Sequence, residues 1–422
     1  MSETVSFTFV HCADLHLDSP FEGLQVVDSR MAATLRDATF KAFDQVIDLA
    51  IRERADFLLV AGDVYDGADR SLRAQLKFRD GLRRAVEAGV QCYVAYGNHD
   101  PLSGWEAKLE MPPGVHIFGG EEVEQFTVRR EGVTLAQVYG ISYPVREVRE
   151  NLVPRFKRQG KGPFAIGILH GNVGGNPNHD NYAPCKVENL VASNMDYWAL
   201  GHIHAQQIMR EHDPCIIYPG NTQGRSVREL GARGCYLVRV DDIGRLTPRF
   251  VATDVVRWFL QEVDIADMTT WDDLLNLLSL TKEEVRAAAQ GRAAILRLHL
   301  TGRGELHAQL RRVDPERDLA LPLRESETER PDFVWVESLQ NRTRPLIDIA
   351  KRRREPDFLG DFLSAAENLR TAENPGATLK EVLSGRPEHR LIAPQIDQLT
   401  DADLLTFLTD AETLGLDLLL EE

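Results

Sequence analysis

The stretch DYWALGHIHA, residues 196–205, sets two histidines directly after an apolar run and a glycine. Residues two apart on an extended backbone point to the same side, so His202 and His204 can both face one object. Such a pair at a strand end can equally be structural, with each ring bonded to backbone or water. Its meaning therefore depends on whether other apolar runs also end in residues that bind metals.

Four further apolar runs have this form. They cover residues 5–14, 55–63, 91–100 and 163–171, and segments of helical length separate the first three. Near-continuous apolar strands that alternate with helices are typical of an α/β protein with buried sheets. Residues 115–141 have the pattern of a hairpin instead. We therefore expect an α/β domain with mixed sheets over residues 1–255.

The pattern of apolar residues changes near residue 255. Shorter strand and helix patterns predict a smaller α+β capping domain over residues 256–340, in which the polar residues 314–332 form an exposed loop. After residue 340, apolar positions such as Phe358, Phe362 and Leu369 are spaced for one helix face. Residues 341–422 are thus predicted to form a helical C-terminal region.

Charge is distributed unevenly along the chain. The 422 residues have a formal net charge of −16, which argues against a protein that coats nucleic acid by charge alone. Residues 397–422 contain eight acids and no Lys or Arg, whereas residues 342–354 contain six bases and one acid. The basic run can contact DNA or a partner, or be a solvated helix face. The acidic end can bind a partner or pack on its own domain.

The sequence contains no pattern typical of export or membrane insertion. No apolar run approaches the ~20 residues needed to cross a bilayer, and the first residues lack a basic region followed by an apolar one. The five cysteines are odd in number and form no CxxC pair, as is typical of reduced thiols. We expect a cytoplasmic protein that does not contact a membrane.

Residue types that bind metals accompany all five apolar runs. They are Asp14 and His16, Asp63, Asn98 and His99, His170, and His202 with His204. In open α/β sheets, functional groups collect beyond the carboxyl ends of the strands, so these residues can converge. Each motif alone is more often a turn or a cap, but five in sequence favour a shared site. Eight such residues fit two ions that share a bridging carboxylate, and these ligand types suit Mn²⁺, Fe²⁺ or Zn²⁺.

Glycines accompany these motifs at positions 62, 97, 171 and 201. A residue without a side chain beside each ligand lets the backbone turn sharply and approach the ions. The glycines therefore predict close contact between the backbone and the ligands.

With these motifs, D-x-H, G-D, G-N-H-D, H and G-H-x-H in that order, the chain resembles the calcineurin-like metallophosphoesterases. HCADLHLD, AGDVYDG and ALGHIH are most similar to the SbcD-like branch of DNA-repair exonucleases, and the whole-chain pattern, with YPGNTQGRSVRE at 218–229, to the YhaO type. The motif resemblance covers residues 5–240. It implies a four-layer sandwich of two mixed β-sheets flanked by helices, with a smaller α+β cap and a helical C-terminal segment.

The resemblance also implies a role for each motif residue. The first metal would be bound by Asp14, His16 and His204, the second by Asn98, His170 and His202, and Asp63 would bridge the two. His99 would contact the scissile phosphate or the leaving oxygen, and Asp100 would orient its imidazole. Enzymes of this branch usually take Mn²⁺, with Fe²⁺ and Zn²⁺ as alternatives.

Two further residues are candidate substrate contacts. His179 lies in the loop GGNPNHDNY, and Arg225 offers a guanidinium fork that suits a phosphate. The alternative for Arg225 is an ordinary surface ion pair. His11, which precedes the first motif within a strand, is predicted to be part of the core.

The chemistry implied is hydrolysis of phosphodiester bonds by a hydroxide that two metal ions generate, with no protein nucleophile. The resemblance implies a Mn²⁺-dependent DNA-repair exonuclease that acts with an SMC-like coiled-coil ATPase and usually forms a homodimer. Since the same kind of site serves many substrates, a small-molecule phosphodiesterase or phosphatase is a second interpretation. A DNA-end-binding scaffold with incidental hydrolysis is a third. GDVYDGAD lacks the Arg that protein phosphatases carry directly after the second Asp.

Overall fold

The structure is a computed structural model of the chain. It describes residues 5–21, 29–67, 71–105, 107, 109–158, 160, 162–175, 180–325, 327, 329–384 and 399–420. Up to residue 252 the chain alternates strands with helices in the following order: β1 (Phe7–Cys12), α1 (Ser29–Arg52), β2 (Phe57–Ala61), α2 (Leu72–Glu87), β3 (Gln91–Ala95), β4 (Val115–Ile117), β5 (Glu124–Arg130), β6 (Val133–Gly140), β7 (Phe164–His170), α3 (Val187–Ala192), β8 (Tyr197–Gly201), β9 (Gln207–Arg210), β10 (Cys215–Tyr218), β11 (Gly234–Val240) and β12 (Leu246–Ala252).

These strands form two mixed six-stranded sheets. The first has the order β12-β11-β1-β2-β3-β4 and the second the order β5-β6-β7-β8-β10-β9. Neighbours from β1 to β4 are parallel, while β11 is antiparallel to β1. In the second sheet β6, β7, β8 and β10 are parallel, and β5 and β9 are antiparallel edge strands. The prediction of mixed sheets is confirmed.

Apolar side chains fill the space between the two sheets and the space under the helices. Between the sheets the ring of Phe9 stacks on Phe57, with centroids 5.0 Å apart, and meets Tyr197 of the other sheet edge-on at 5.1 Å. Each such pair contributes about 0.5–1.5 kcal/mol beyond the area that it buries. Helices α1 and α2 cover the outer face of the first sheet, and α3 lies on the second. The expected sandwich of two mixed sheets flanked by helices is therefore present.

Local sequence explains these elements. The strand FLLVA of β2 is buried at all five positions, as expected for a parallel strand covered on both faces. Helix α2 begins after Ser71, whose hydroxyl accepts a hydrogen bond from the Ala74 nitrogen at 3.0 Å. Such an N-cap stabilises a helix by about 1 kcal/mol. The buried histidine of β1, His11, contacts the Tyr197 hydroxyl at 2.9 Å, so its predicted place in the core is confirmed.

The chain beyond residue 255 contains β13 (Val256–Asp264), α4 (Trp271–Ala288), β14 (Ala293–Thr301), β15 (Arg303–Gly304), α5 (His307–Leu310), a π-helical turn (Pro315–Ala320), α6 (Leu321–Glu325), β16 (Val334–Asn341), β17 (Arg344–Pro345), α7 (Ile349–Arg352), α8 (Phe358–Arg370), α9 (Pro375–Ser384) and α10 (Asp401–Leu420). Strands β13, β14 and β16 form a three-stranded sheet, and β15 pairs with β17. The predicted α+β and helical segments are both present.

The expectation of an exposed loop over residues 314–332 is wrong. Its first half forms the π-helical turn and α6, with Leu319 and Leu323 buried. Arg324 is buried as well, because its guanidinium lies over the Trp335 ring and bonds to the Val336 and Glu337 carbonyl oxygens. The expectation failed because the segment is rich in charged residues, so its few apolar residues show no clear periodic pattern in the sequence.

The chain divides into two compact units, each of which is made of three separate segments of the sequence. One comprises Met1–Gln261, Leu278–Leu298 and Glu316–Leu339, and contains both six-stranded sheets. The other comprises Glu262–Leu277, His299–Pro315 and Gln340–Glu422, and contains the small cluster of Leu359, Leu363 and Leu416. The sequence boundaries at 255 and 340 stay predictions.

The five cysteines are free and buried. Within the described ranges we find no helix with the length and apolar character of a membrane span.

Candidate metal centre

The seven predicted ligand side chains lie at one edge of the two sheets. Asp14 and His16 follow β1, Asp63 follows β2, Asn98 follows β3, His170 ends β7, and His202 and His204 follow β8. All are buried except His204, whose side chain is 22% exposed. Because β1 to β3 belong to one sheet and β7 and β8 to the other, the site is built from both sheets.

The backbone at several of these residues is left-handed. The φ angles are 51° at Asp14, 42° at His16, 50° at Asp63 and 101° at His202. Residues other than glycine adopt such angles at a cost of about 1–3 kcal/mol each, and they cluster at functional sites. Backbone hydrogen bonds hold two of them, from Asp14 to the Gly62 oxygen at 3.0 Å and from His16 to the Asp63 oxygen at 3.1 Å. The turns after the strands thus aim these side chains inward.

One group of potential ligand atoms comes from Asp14, His16 and His204, all within 4.8 Å of one another. The Nε2 atoms of His16 and His204 face each other at 3.1 Å. On the other ring edge, His16 Nδ1 lies 3.3 Å from Asp66 Oδ1, and His204 Nδ1 lies 2.6 Å from Glu229 Oε1. The Glu229 carboxylate favours the tautomer of His204 that carries its proton on Nδ1. The Nε2 atoms of both rings face the same point.

A second group comes from Asp14, Asp63 and His170, again with ligand atoms within 4.8 Å. The Nε2 atom of His170 lies 2.9 Å from Asn98 Oδ1 and 3.3 Å from Asp63 Oδ2. The His202 ring stacks edge-on against His170 with centroids 5.2 Å apart. Its Nε2 lies 2.8 Å from the main-chain oxygen of Asp180. Asp63 contacts both groups, since its Oδ2 is 3.9 Å from His16 Nε2.

Burial and neighbouring charges shift the pKa values of the carboxylates and histidines of this site. Burial raises the pKa of Asp14, partly offset by His170 and His204. Burial also opposes ionisation of Asp63, but His170, His99 and His16 outweigh it and hold its pKa well below the usual range. The pKa of His170 rises to about 9 because Asp63 and Asp14 outweigh the effect of burial. Burial, with the charge of Arg225, lowers the pKa of His16 to about 3, so His16 is neutral.

Gly97 must lack a side chain for this geometry to form. A Cβ there would lie 2.3 Å from Asp63 Oδ1 and 2.8 Å from His170 Nε2, which is closer than any real contact. Gly62, with φ of 91°, would place a Cβ 2.2 Å from His170 Nδ1. The predicted close approach of backbone to the ligand side chains is confirmed at both positions.

The structure places Asp66, not Asp100, beside His99. The Nδ1 atom of His99 lies 3.1 Å from Asp66 Oδ1. Asp100 is fully buried, and its carboxylate accepts hydrogen bonds from the backbone nitrogens of Gly97, Val64 and Tyr65 at 2.7, 2.6 and 3.2 Å. Asp100 therefore fixes the loops that bear Asp63 and His99. Burial lowers the pKa of His99, but the bond to Asp66 and the charge of Asp63 outweigh it and raise that pKa.

Sequence reasoning missed Asp66 and Glu229. Asp66 stands in the AGDVYDG motif, three positions after Asp63, and its spacing from a predicted ligand is the available signal. Glu229 ends the segment YPGNTQGRSVRE, in which the sequence suggests a role for Arg225 only. Its contact with His204 depends on the path of a loop 25 positions downstream, which no local pattern reveals.

Arg225 lies next to these two carboxylates. Its Nη1 donates to Ser19 Oγ at 2.6 Å and lies 3.4 Å from Asp66 Oδ2, and its main-chain nitrogen donates to Glu229 Oε2 at 2.6 Å. Its contact with a phosphate stays a prediction, and its guanidinium makes ion pairs with Asp66 and Glu229. His179, the other candidate substrate contact, lies outside the described residues.

The residues present fit divalent metal ions. Two fully buried carboxylates, Asp14 and Asp63, approach the same histidines, and the Nε2 atoms of His16 and His204 lie 3.1 Å apart. A divalent cation among these groups would be bound by carboxylate oxygens and imidazole nitrogens together. Oxygen and imidazole nitrogen donors, with no thiolate among them, are the ligands of Mn²⁺, Fe²⁺ or Zn²⁺.

Comparison with known proteins identifies the family. The family model for calcineurin-like phosphoesterases matches residues 7–206, and the model for the middle domain of the metallophosphoesterase YhaO matches residues 258–344. The uncharacterized metallophosphoesterase YhaO of Bacillus subtilis is 36% identical over 400 residues, which covers 94% of both chains. The chain belongs to the calcineurin-like metallophosphoesterases. This metallophosphoesterase is thus a metal-dependent phosphoester hydrolase, as the motifs predicted.

Two DNA-processing proteins are more distant relatives of this metallophosphoesterase. The DNA double-strand break repair protein Mre11 of Aeropyrum pernix is 27% identical over 240 residues, covering 53% of this chain and 56% of the relative. A subunit of the nuclease SbcCD of Bacillus subtilis is 25% identical over 260 residues, covering 53% of this chain and 63% of the relative. These matches confirm the predicted relation to the SbcD-like branch.

Proposed function

We propose that this metallophosphoesterase is a Mn²⁺-dependent DNA exonuclease that hydrolyses phosphodiester bonds at a two-metal site. The observation on which the proposal depends is the buried group of carboxylate, imidazole and amide side chains that surrounds Asp63. The relatives named as Mre11 and as an SbcCD nuclease subunit support DNA as the substrate. Mn²⁺ is proposed because its ligand preference matches this donor set, with Fe²⁺ and Zn²⁺ as the alternatives.

In this proposal the ligands divide between two ions. Asp14, His16 and His204 would hold the first ion, and Asn98, His170 and His202 would hold the second. Asp63 would contribute to both sites, because its carboxylate lies near both His16 and His170. The Nε2 atom of His202 faces the Asp180 carbonyl, so His202 would ligate through Nδ1. When bound, two such metal ions lower the pKa of a water molecule and offset negative charge on a phosphate.

The protein side chains supply the rest of the chemistry. His99, with a side chain 34% exposed, is the histidine placed to meet substrate. Its Nδ1 faces Asp66, so Nε2 can donate a proton to a phosphate oxygen or to the leaving oxygen. Asp66 takes the orienting role that the sequence assigned to Asp100. Arg225, which reaches the same carboxylate through the Ser19 hydroxyl, offers positive charge to a phosphate at the rim.

The partner proposed is an SMC-like coiled-coil ATPase, because related nuclease subunits of the SbcD-like branch work with one. The second unit supplies a surface for it. Helix α10 buries Leu404 and Leu416 but leaves Phe407, Leu414 and Leu418 more than half exposed. The basic run 342–354 offers less free charge than its composition suggests, because Arg352 pairs with Glu355 and Asp357, and Arg353 with Glu367. A homodimer and a place in DNA repair belong to the same proposal.

Substrate choice tests the proposal directly. Purified protein, stripped with EDTA and reloaded with Mn²⁺, is given bis-p-nitrophenyl phosphate, p-nitrophenyl phosphate and end-labelled linear DNA. We expect cleavage of the diester and stepwise shortening of the DNA, with little release from the monoester. Preferential hydrolysis of the monoester would assign the site to a phosphatase. DNA binding without cleavage under any of Mn²⁺, Fe²⁺ or Zn²⁺ would leave the scaffold interpretation.

A further inference from the structure

Two carboxylates outside the predicted ligand set touch the histidines of the first metal site. Glu229 Oε1 lies 2.6 Å from His204 Nδ1, and Asp66 Oδ1 lies 3.3 Å from His16 Nδ1. The side chain of Glu229 is 11% exposed and that of Asp66 is 30% exposed, so solvent screens the contact with His204 little. Both imidazoles consequently present Nε2 to the same point, 3.1 Å apart.

Main-chain carbonyl oxygens contact one ring nitrogen of each second-site histidine, and Asp14 Oδ1 lies farther away, 3.9 Å from His170 Nδ1. His170 Nδ1 lies 3.0 Å from the Ala61 carbonyl oxygen, and His202 Nε2 lies 2.8 Å from the Asp180 carbonyl oxygen. A carboxylate that accepts from an imidazole fixes the ring and makes its other nitrogen a stronger donor than a carbonyl does. The two sites therefore differ in the groups that make these short contacts: carboxylates within 3.3 Å in the first site and carbonyl oxygens within 3.0 Å in the second.

We propose that Glu229 and Asp66 are positioning residues that make the His16–His204 site the tighter of the two metal sites. Glu229 holds His204 with one oxygen, while its second oxygen accepts from the Arg225 nitrogen at 2.6 Å. Asp66 Oδ1 lies 3.3 Å from His16 Nδ1 without the geometry of a hydrogen bond, and its Oδ2 accepts from the Ser19 hydroxyl at 2.6 Å. Both oxygens of Glu229 and Oδ2 of Asp66 are thus held, which limits the movement of the two carboxylates. The inference rests on the metal pair of the proposed function.

Glu229 and Asp66 also differ in what else they touch. Asp66 Oδ1 is shared with His99 Nδ1 at 3.1 Å, so Asp66 positions a metal ligand and the proposed substrate contact together. Glu229 contacts the metal ligand His204 and Arg225, and its charge also acts on Arg233. Metal affinity is therefore the property to measure for variants of Glu229, and removal of Asp66 would in addition displace His99.

Titration of the metal-free full chain with Mn²⁺ by calorimetry tests this inference. In the wild type we expect two ions per chain with different affinities. Glu229→Ala should weaken the tighter event by about 10–100-fold, the range typical for partners of ligating histidines, and leave the weaker event unchanged. Glu229→Gln keeps an acceptor for His204 but not the charge. Its Mn²⁺ affinity at the tighter event should therefore lie between those of the wild type and Glu229→Ala. Glu53→Gln is the matched control, because it removes a carboxylate that pairs with Arg239 and Arg249 away from the site.

A double-mutant cycle guards against a merely structural effect. In a His204→Ala background, Glu229→Ala should cause no further loss of Mn²⁺ affinity, because its only route to the metal is gone. Far-UV circular dichroism checks that each variant is folded, and Glu229→Gln serves if Glu229→Ala is not. Wild-type affinities in Glu229→Gln and Glu229→Ala, or an equal loss at both events, would overturn the inference. A wild type that binds fewer than two ions would instead contradict the proposed metal pair.

Discussion

The main-chain nitrogen of His202 donates hydrogen bonds to both carboxylate oxygens of Asp14, at 3.0 and 3.2 Å, across 188 positions of sequence. Asp14 follows β1 of one sheet, and His202 follows β8 of the other. The bond therefore joins the edges of the two sheets at the site itself. It also orients a carboxylate that both groups of ligand atoms share.

Asp63→Asn should remove metal from both sites and abolish hydrolysis. The amide keeps an oxygen for the His99 nitrogen, which donates to Asp63 Oδ1 at 3.0 Å, but loses the charge that faces His170 and His16. We expect a loss greater than the 10–100-fold typical of residues behind a ligand. Elemental analysis of the dialysed protein and diester cleavage measure the two effects. Full metal content in this variant would rule out Asp63 as the bridge.

His99→Leu should stop turnover while leaving metal content intact. His99 contacts Asp66 through Nδ1 and is not a ligand in the proposed division, although ligand atoms of His16, Asp66 and His99 also lie within 4.8 Å of one another. Loss of a general acid lowers kcat by about 10²–10⁴-fold. Measuring kcat with the diester beside bound Mn²⁺ separates the two properties, with Glu53→Gln as control. Hydrolysis at the wild-type rate would refute the role assigned to His99.

Gly97→Ala should displace the two side chains that its Cβ would strike. That atom would lie 2.3 Å from Asp63 Oδ1 and 2.8 Å from His170 Nε2. Overpacking of this kind costs about 1–3 kcal/mol, and here the atoms that must move are metal ligands. Metal binding and the urea midpoint should both fall. The control is Gly119→Ala, whose Cβ would have the carboxylate of the Glu124 side chain as its nearest neighbour, at 3.3 Å, so a similar loss there would contradict the steric explanation.

His11 should make the free energy of unfolding depend on pH. Burial lowers its pKa from 6.5 to about 3, partly offset by its bond to the Leu200 carbonyl. Because the folded pKa lies below the unfolded one, the unfolded chain gains the proton first. The stabilisation is complete above pH 6.5 and decreases as the pH falls towards 3. From pH 7 to pH 5, the wild type should lose about 2 kcal/mol more than His11→Gln, which cannot titrate. Equal pH slopes in urea unfolding would contradict this assignment.

The strand ends could be predicted because they depend on local sequence. The strands end at Cys12, Ala61, Ala95, His170 and Gly201, a few positions before the ends of the predicted runs, and parallel pairing within each sheet brings the following residues together. The glycines beside the predicted ligands could also be interpreted from the sequence, as positions where a side chain would collide with a ligand. Two kinds of contact could not be predicted in this way. Glu229 reaches His204 through the path of a loop, and Arg324 becomes buried through the ring of Trp335.

Because the site is built from both sheets, metal binding affects the stability of the fold. Asp14 and Asp63 extend from one sheet, and His170, His202 and His204 from the other. A cation seated among them is a cross-link between the halves of the sandwich, and its binding free energy adds to folding stability. In a cell that lacks divalent metal, this protein would therefore be less stable and shorter-lived as well as inactive.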